Sequence, residues 1–177
     1  VGQPAAGAEA AREVERCLDA GMSGVGELNA DGQGFRLDCP GLRSIARVCA
    51  ERGAPLLLHT NEPVGHAYPG KGTLALTDVC EFARANPDLS LVLAHWGGGF
   101  PFYELMPEVH AAACHVCYDS AASPLLYRPE VFQSVVNLVG PEKILFGTDY
   151  PLNLYPKTRR EPAIQPLLAE VRGLGLG

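Results

Sequence analysis

Short apolar runs alternate with helix-period segments along this chain, and that alternation is its strongest constraint. It restricts the fold to a parallel sheet whose strands are joined by helices. Pro55-Leu-Leu-Leu-His-Thr60, Leu89-Ser-Leu-Val-Leu-Ala-His95 and Lys143-Ile-Leu-Phe-Gly-Thr148 are continuous enough to be strands buried on both faces. Ser23 to Asn29 and His115 to Ser120 read as two more, with a polar loop following the first through Gly34. Between them lie helix faces. Ala11, Val14, Cys17 and Leu18 form one that stops at Gly21, and Leu42, Ile45, Ala46 and Cys49 form one that stops at Gly53. Leu76, Val79, Cys80 and Ala83 precede the breaker Asn86-Pro87-Asp88, and Leu105, Met106, Val109 and Ala113 make a further face. Pro129 opens a helix carrying Phe132, Val135, Val136 and Val139, closed by Gly140, and a last helix is expected between Arg159 and Arg172.

The strand ends near Glu27, His59, His95, Asp119 and Asp149 lie 32, 36, 24 and 30 residues apart. A closed eight-unit (β/α) barrel of roughly 250 residues spends about 31 residues per unit. The spacing matches, but the chain supplies five strands. The expected fold is therefore α/β, a partial (β/α) TIM barrel in one incomplete domain over residues 1–177. An open doubly wound sheet is the other architecture with this alternation. Its nucleotide-binding glycines are missing: Gly21 to Gly26 enters a strand instead of leaving one, Trp96-Gly97-Gly98-Gly99 has the wrong spacing, and Gly70-Lys71-Gly72 is only a turn.

With 14 Lys and Arg against 20 Asp and Glu, the formal charge is −6 and the isoelectric point near 5.3. That balance gives no general attraction for nucleic acid or an anionic membrane. The longest apolar stretches fall far short of the roughly 20 residues needed to cross a bilayer. No secretory signal is visible at the start, and six cysteines spread through apolar segments read as buried reduced thiols, so a cytoplasmic protein is expected. Cys114-His115-Val116-Cys117 has the spacing of half a zinc knuckle but lacks a second pair, and alternation along a strand would point the two sulfurs apart. The first residue is Val1 and the last five are Gly173-Leu174-Gly175-Leu176-Gly177, which leads to the expectation of a truncated chain.

Glu27, His59, His95 and Asp149 all fall at or just past the C-terminal end of an expected strand. Sites in parallel α/β folds are built at that edge, because side chains from several strands converge there. Burying two imidazoles and a carboxylate without compensation would cost several kcal/mol, on the order of 2 or more each. A divalent metal such as zinc, which takes imidazole and carboxylate ligands and leaves a position open, resolves that cost.

Leu58-His59-Thr60-Asn61-Glu62-Pro63, Leu93-Ala94-His95-Trp96-Gly97-Gly98-Gly99 and Ile144-Leu145-Phe146-Gly147-Thr148-Asp149-Tyr150-Pro151, in that order, resemble the amidohydrolase-related family. These are metal-dependent hydrolases and decarboxylases on a distorted (β/α) barrel. The resemblance runs from the family's strand four to the helix after strand eight. It implies that His59 is the strand-five metal ligand. It makes His95 the strand-six histidine, an acid/base in mononuclear members and a ligand in binuclear ones. Asp149 becomes the strand-eight aspartate that binds metal and takes a proton from the attacking water, and Glu27 a strand-four carboxylate that binds or bridges metal. The implied cofactor is zinc, with manganese as the alternative.

The resemblance also marks a departure: the family opens its barrel with a His-x-His pair, which this sequence lacks among its histidines at 59, 66, 95, 110 and 115. Substrate contacts are expected from His66, Tyr68 and Trp96 in the strand-to-helix loops, the first of which also holds Lys71; Arg128 and the Arg159-Arg160 pair have the chemistry to hold a carboxylate but read as surface charge, and His110 and His115 as structural. The reading is a metal-dependent hydrolase of a small carbonyl substrate (amide, ester or lactone). Non-oxidative decarboxylation is the alternative chemistry, and a non-catalytic half-barrel module the alternative role. Five strands cut from a barrel leave open edges and an apolar inner face, which a second copy of the chain could cover.

Overall fold

The computed structural model describes residues 2–68, 70–152 and 161–175. Arg159 and Arg160 lie outside the described residues. Five strands, β1 (Val25–Leu28), β2 (Leu56–Leu58), β3 (Leu91–Leu93), β4 (Val116–Asp119) and β5 (Ile144–Leu145), form one sheet in the order β1-β2-β3-β4-β5. Every neighbouring pair is parallel. Sequential order with all-parallel pairing is the wall of a (β/α) barrel, and among the described residues the sheet does not close.

The helices are α1 (Ala8–Asp19), α2 (Ala30–Gln33), α3 (Pro40–Arg52), α4 (Leu76–Ala85), α5 (Pro107–Ala112), α6 (Ser123–Leu126), α7 (Glu130–Val139) and α8 (Gln165–Gly173). Their limits follow local chemistry. Pro40 sits in the first turn of α3, where its missing N–H is no loss, and Gly53 ends the helix in a left-handed conformation. The polar stretch expected as a loop after β1 is instead the single-turn α2: Asn29 Oδ1 accepts the Gly32 N–H at 2.9 Å and Gly34 closes it with φ +67°. The helix face expected from Leu105 and Met106 is also corrected. His95–Leu105 forms a run of short 3₁₀ turns, α5 starts only at Pro107, and Leu105 is 73% exposed.

Side chains alternate across the sheet. Leu56, Leu58, Leu91, Leu93, Val116 and Tyr118 are buried in one apolar cluster with Leu42, Ile45 and Cys49 of α3, Val79 and Phe82 of α4, and Phe132 and Val135 of α7. Each fully buried leucine is worth about 1.5–3 kcal/mol, so this helix-covered face carries the stability of the fold. Gly26, Leu57, Val92 and Leu145 belong to the other face, where they line an open hollow with Phe146 and Gly147.

One charged cluster lies inside the covered layer. The Glu104 carboxylate accepts from Lys143 Nζ at 2.8 and 2.9 Å, from the Tyr118 hydroxyl at 2.5 Å and from His110 Nδ1 at 2.9 Å. Lys143 also donates to the Ala113 carbonyl at 2.9 Å. The network joins the turn after β3, α5, β4 and the residue before β5. All six cysteines are free, and among the described residues no helix is long and apolar enough to cross a membrane.

Candidate functional site

Three strand ends deliver the site. In β1 the pairing advances three residues, Val25 to Leu28, while β2 advances two, Leu56 to Leu58. An extra residue of this kind re-aims a side chain, and here it brings the Glu27 carboxylate to His59. His59 is the first residue after β2, and its N–H bonds the Leu28 carbonyl at 2.9 Å. His95 is two residues past β3 and opens a left-handed turn: φ is +58° at His95, +56° at Trp96 and between +60° and +90° at Gly97, Gly98 and Gly99.

Glycine is required in that turn for space as well as for φ. A Cβ at Gly98 would lie 2.3 Å from the Asn61 carbonyl oxygen, and one at Gly97 would lie 3.0 Å from the Tyr118 ring. The two residues of the turn that do carry side chains are held from outside. Asp119 Oδ1 accepts the N–H of His95 at 2.9 Å and of Ala121 at 3.0 Å. Trp96 is fully buried, edge-on to Phe132 with ring centroids 5.0 Å apart, and its indole N–H donates to Ser123 Oγ at 2.6 Å.

The functional atoms then meet. Glu27 Oε1 is 2.6 Å from His59 Nδ1 and 3.4 Å from His95 Nε2, and the two ring nitrogens are 3.2 Å apart. The far nitrogen of each ring faces a carbonyl-type oxygen: His59 Nε2 meets Asn61 Oδ1 at 3.1 Å, and His95 Nδ1 meets the Ala121 carbonyl at 3.3 Å. Protons on those far nitrogens turn both remaining lone pairs toward the Glu27 carboxylate. Three acceptors in mutual contact repel, so either a cation lies between them or the facing ring nitrogens are protonated and donate to Glu27. Hydrogen bonds from His59 and His95 hold the Glu27 carboxyl down at about 2. Burial works against charge on His95. The hydrogen bond and charge of Glu27, joined by the charges of Asp119 and Asp149, outweigh burial, so this imidazole keeps its proton to higher pH than a free one.

The donor set fits a divalent metal. Glu27, His59 and His95 offer one oxygen and two nitrogens that all lie within 4.8 Å of one another. Ligands about 2.0–2.1 Å from a tetrahedral zinc stand roughly 3.4 Å apart, close to the spacings of His95 to its two partners; the His59–Glu27 contact is at hydrogen-bond length. Asp149 is not part of this group of three. It lies four residues beyond β5 with φ +56° and lines a cavity of about 580 Å³ together with His59 and His95. His66, Tyr68 and Gly70 form one side of that cavity, and Ala122, Leu125, Leu126 and Leu152 an apolar wall.

Of the residues expected to touch substrate, His66 and Tyr68 reach the cavity. Trp96 does not: its indole packs into the core and braces the His95 turn. His110 bonds Glu104, outside the site, and His115 is half-buried beside Cys114. Asn61, Asp119 and Ser123 were not picked out as functional residues by sequence reasoning. Asn61 stands two residues from His59 and Asp119 at a strand end, so position alone marked both, but the bonds they make depend on which strands become neighbours.

Residues 2–172 match the family model described as Amidohydrolase. The chain belongs to the amidohydrolase family. A 2-amino-3-carboxymuconate-6-semialdehyde decarboxylase of Dictyostelium discoideum is 28% identical over 172 residues, 81% of this chain and 47% of the relative. Among solved structures, 5-carboxyvanillate decarboxylase LigW from Sphingomonas paucimobilis superposes with a TM-score of 0.67 at 17% identity, covering 96% of this chain and 58% of that one. A dihydroxybenzoic acid decarboxylase from Polaromonas, solved with bound manganese, gives 0.65 at 17% identity over 95% of this chain and 60% of its own. The chain thus spans about half the length of the curated relative and under two thirds of these structures, and the likeness in fold is to members of the amidohydrolase superfamily.

Proposed function

We propose that this chain carries the metal-binding part of a non-oxidative decarboxylase acting on a small carboxylated compound. The observation that carries the reading is the convergence of Glu27, His59 and His95 within 4.8 Å beside a cavity that also holds Asp149. Sequence reasoning put hydrolysis of an amide, ester or lactone first. The Dictyostelium relative, which is a decarboxylase, supports the other order, and so does the apolar wall of Ala122, Leu125, Leu126 and Leu152. A carboxylate is poorly solvated against such a wall, whereas departing CO₂ is neutral and loses nothing there.

Glu27 and His59 of that group, with Asp149 from the same cavity, would hold a divalent ion, manganese or zinc, which when bound would supply a Lewis acid for a substrate oxygen; the third member of the group, His95, is then left free to act as the acid. His95, 3.4 Å from the Glu27 carboxylate, is the acid that passes a proton to the carbon that keeps the electron pair when its bond to CO₂ breaks. His66 and Tyr68 orient the substrate's polar groups from the facing wall.

The test is a titration of the purified chain with Mn²⁺ and Zn²⁺, followed by CO₂ release from a panel of small aromatic and unsaturated carboxylates. Ester and lactone cleavage are followed in parallel. The expected result is metal uptake that His59→Ala and Asp149→Ala abolish, with CO₂ release and no ester or lactone cleavage. Equal uptake by the variants would refute the metal site. Hydrolysis without CO₂ release would restore the hydrolase reading, and metal uptake without turnover of any substrate would leave a non-catalytic module.

A further inference from the structure

Asn61 is buried, and its carboxamide is used unevenly. Its Oδ1 accepts two N–H groups, from His59 Nε2 at 3.1 Å and from the Gly72 backbone at 3.0 Å, while its Nδ2 is buried with no partner among the described residues. The backbone N–H of Gly72 can only donate, so the oxygen must face it. The same oxygen then faces His59, which makes Nε2 a protonated nitrogen and leaves Nδ1 for the Glu27 side. The Gly72 N–H thus fixes which end of the carboxamide faces His59.

Asn61 is fixed from both directions. Its own carbonyl lies where Gly98 must be glycine, so the turn that carries His95 packs directly on it. On the other side, Gly72 begins the return of the segment that includes His66 and Tyr68. That return is pinned a second time, because Asp31 accepts from the Thr73 N–H and hydroxyl, both at 2.8 Å. Lys71 closes the segment on itself by donating to the carbonyls of Val64 at 2.8 Å and His66 at 3.2 Å. One carboxamide oxygen therefore bridges the imidazole of the candidate metal centre and the far end of the loop that walls the cavity.

We infer that Asn61 is a positioning residue that locks His59 with its proton on Nε2, so that Nδ1 is the metal-facing nitrogen, and ties this ring to the loop bearing His66 and Tyr68. The inference rests on the proposed metal reading for its affinity consequence alone; the lock itself exists in metal-free protein. Losing an outer partner of a ligating histidine costs about 10- to 100-fold in metal affinity.

The experiment compares Asn61→Ala, Asn61→Asp and Thr73→Ala with the unmodified chain. Nitrogen–proton NMR of the metal-free protein follows exchange of the His59 Nε2 proton with water. Limited proteolysis follows the 62–72 loop, and Zn²⁺ titration gives affinity. Asn61→Ala is expected to lose the protected Nε2 proton, open the loop to cleavage and weaken Zn²⁺ about 10- to 100-fold. Asn61→Asp, which keeps an acceptor oxygen, is expected to restore the protected proton and the closed loop. Thr73→Ala is expected to loosen the loop while leaving the His59 proton protected, which a merely structural role for Asn61 would not separate. An Nε2 proton equally protected in Asn61→Ala would overturn the inference, as would Zn²⁺ affinity unchanged in that variant. Absence of Zn²⁺ uptake by the unmodified chain would count against the metal reading, and the metal-free NMR would still decide the role of Asn61.

Discussion

Gly98→Ala separates two costs that the Trp-Gly-Gly-Gly turn combines. Any L-residue placed at φ +61° takes a left-handed penalty of about 1–2 kcal/mol. At Gly98 the new methyl group would also stand 2.3 Å from the Asn61 carbonyl oxygen, a backbone atom that cannot rotate away. Overpacking of that kind adds about 1–3 kcal/mol, so the expected loss is roughly 2–5 kcal/mol, a large share of the 5–15 kcal/mol typical of a domain. Gly53→Ala is the matched control. Its φ is +60°, and no atom of the described residues lies within 4 Å of the added Cβ, so only the conformational penalty of about 1–2 kcal/mol applies. Urea unfolding of both variants gives the two midpoints, which are comparable provided the slopes agree. The displaced Asn61 also predicts a local signature in Gly98→Ala, a faster-exchanging His59 ring proton, that Gly53→Ala lacks. A Gly98→Ala midpoint no lower than that of Gly53→Ala would refute the claim that this turn is glycine for want of space.

Three further outcomes follow from the same geometry. Lys143→Met leaves the Glu104 charge buried with only Tyr118 and His110 as donors, and is expected to cost about 3–5 kcal/mol in urea unfolding; Glu104→Leu combined with Lys143→Met should recover much of that loss, and a double variant as unstable as the single would contradict it. Burial and the Glu104 hydrogen bond push the Tyr118 hydroxyl far above its ordinary 10.0, so above pH 10 the unfolded chain gives up this proton while the folded chain keeps it. Stability from this group is therefore full below pH 10 and falls above it, by about 1.4 kcal/mol per pH unit, and Tyr118→Phe should flatten that alkaline limb; identical limbs in the two proteins would show that the hydroxyl does not titrate as argued. Ser123→Ala removes the acceptor of the buried Trp96 indole and is expected to cost about 1–3 kcal/mol while freeing the His95 turn, seen as faster amide exchange over residues 95–99; a change confined to α6 would argue against that coupling.

Much of this was legible in the sequence for a physical reason. Continuous apolar runs mark strands, so Leu56–Leu58 and Leu91–Leu93 announced themselves and their spacing implied parallel pairing. The expected burial on both faces does not hold: Leu57 and Val92 are only half-buried and Leu145 is exposed, because their face lines the open hollow. The weaker elements were misread where local chemistry is ambiguous. Ala30–Gln33 looked like a polar loop because one helical turn held by the Asn29 cap has no apolar period. Leu105 and Met106 looked like a buried face because hydrophobicity alone does not say that a helix begins at Pro107. At the site, residue type and strand-end position marked Glu27, His59, His95 and Asp149. Neither property reports that Glu27 is turned inward by an irregularity in β1, or that Trp96 braces the turn from the core instead of walling the cavity. Type and position were enough to name candidates; the parts that aim them involve contacts across 24 to 36 residues and were not legible.

The order of assembly explains how such a centre can stand on an unclosed sheet. Glu27, His59 and His95 come from β1, β2 and β3, which are neighbours, and Asp119 supports His95 from β4, the next strand along. Glu27–His59, His59–His95 and His95–Asp119 each cross one strand boundary, about 4.8 Å, and the Glu27–His95 approach spans two, so none needs a contact across the barrel interior. Asp149 is the exception. It reaches the cavity from beyond β5, a strand of two residues at the edge of the sheet, held to β4 through Tyr118–Ile144 and Asp119–Leu145. Ser120 adds a clasp there: its Oγ accepts the Gly147 N–H at 3.1 Å and its N–H bonds the Leu145 carbonyl at 3.0 Å. The geometry of Glu27, His59 and His95 is thus fixed by adjacent-strand pairing, whereas the place of Asp149 depends on how firmly that short edge strand is held.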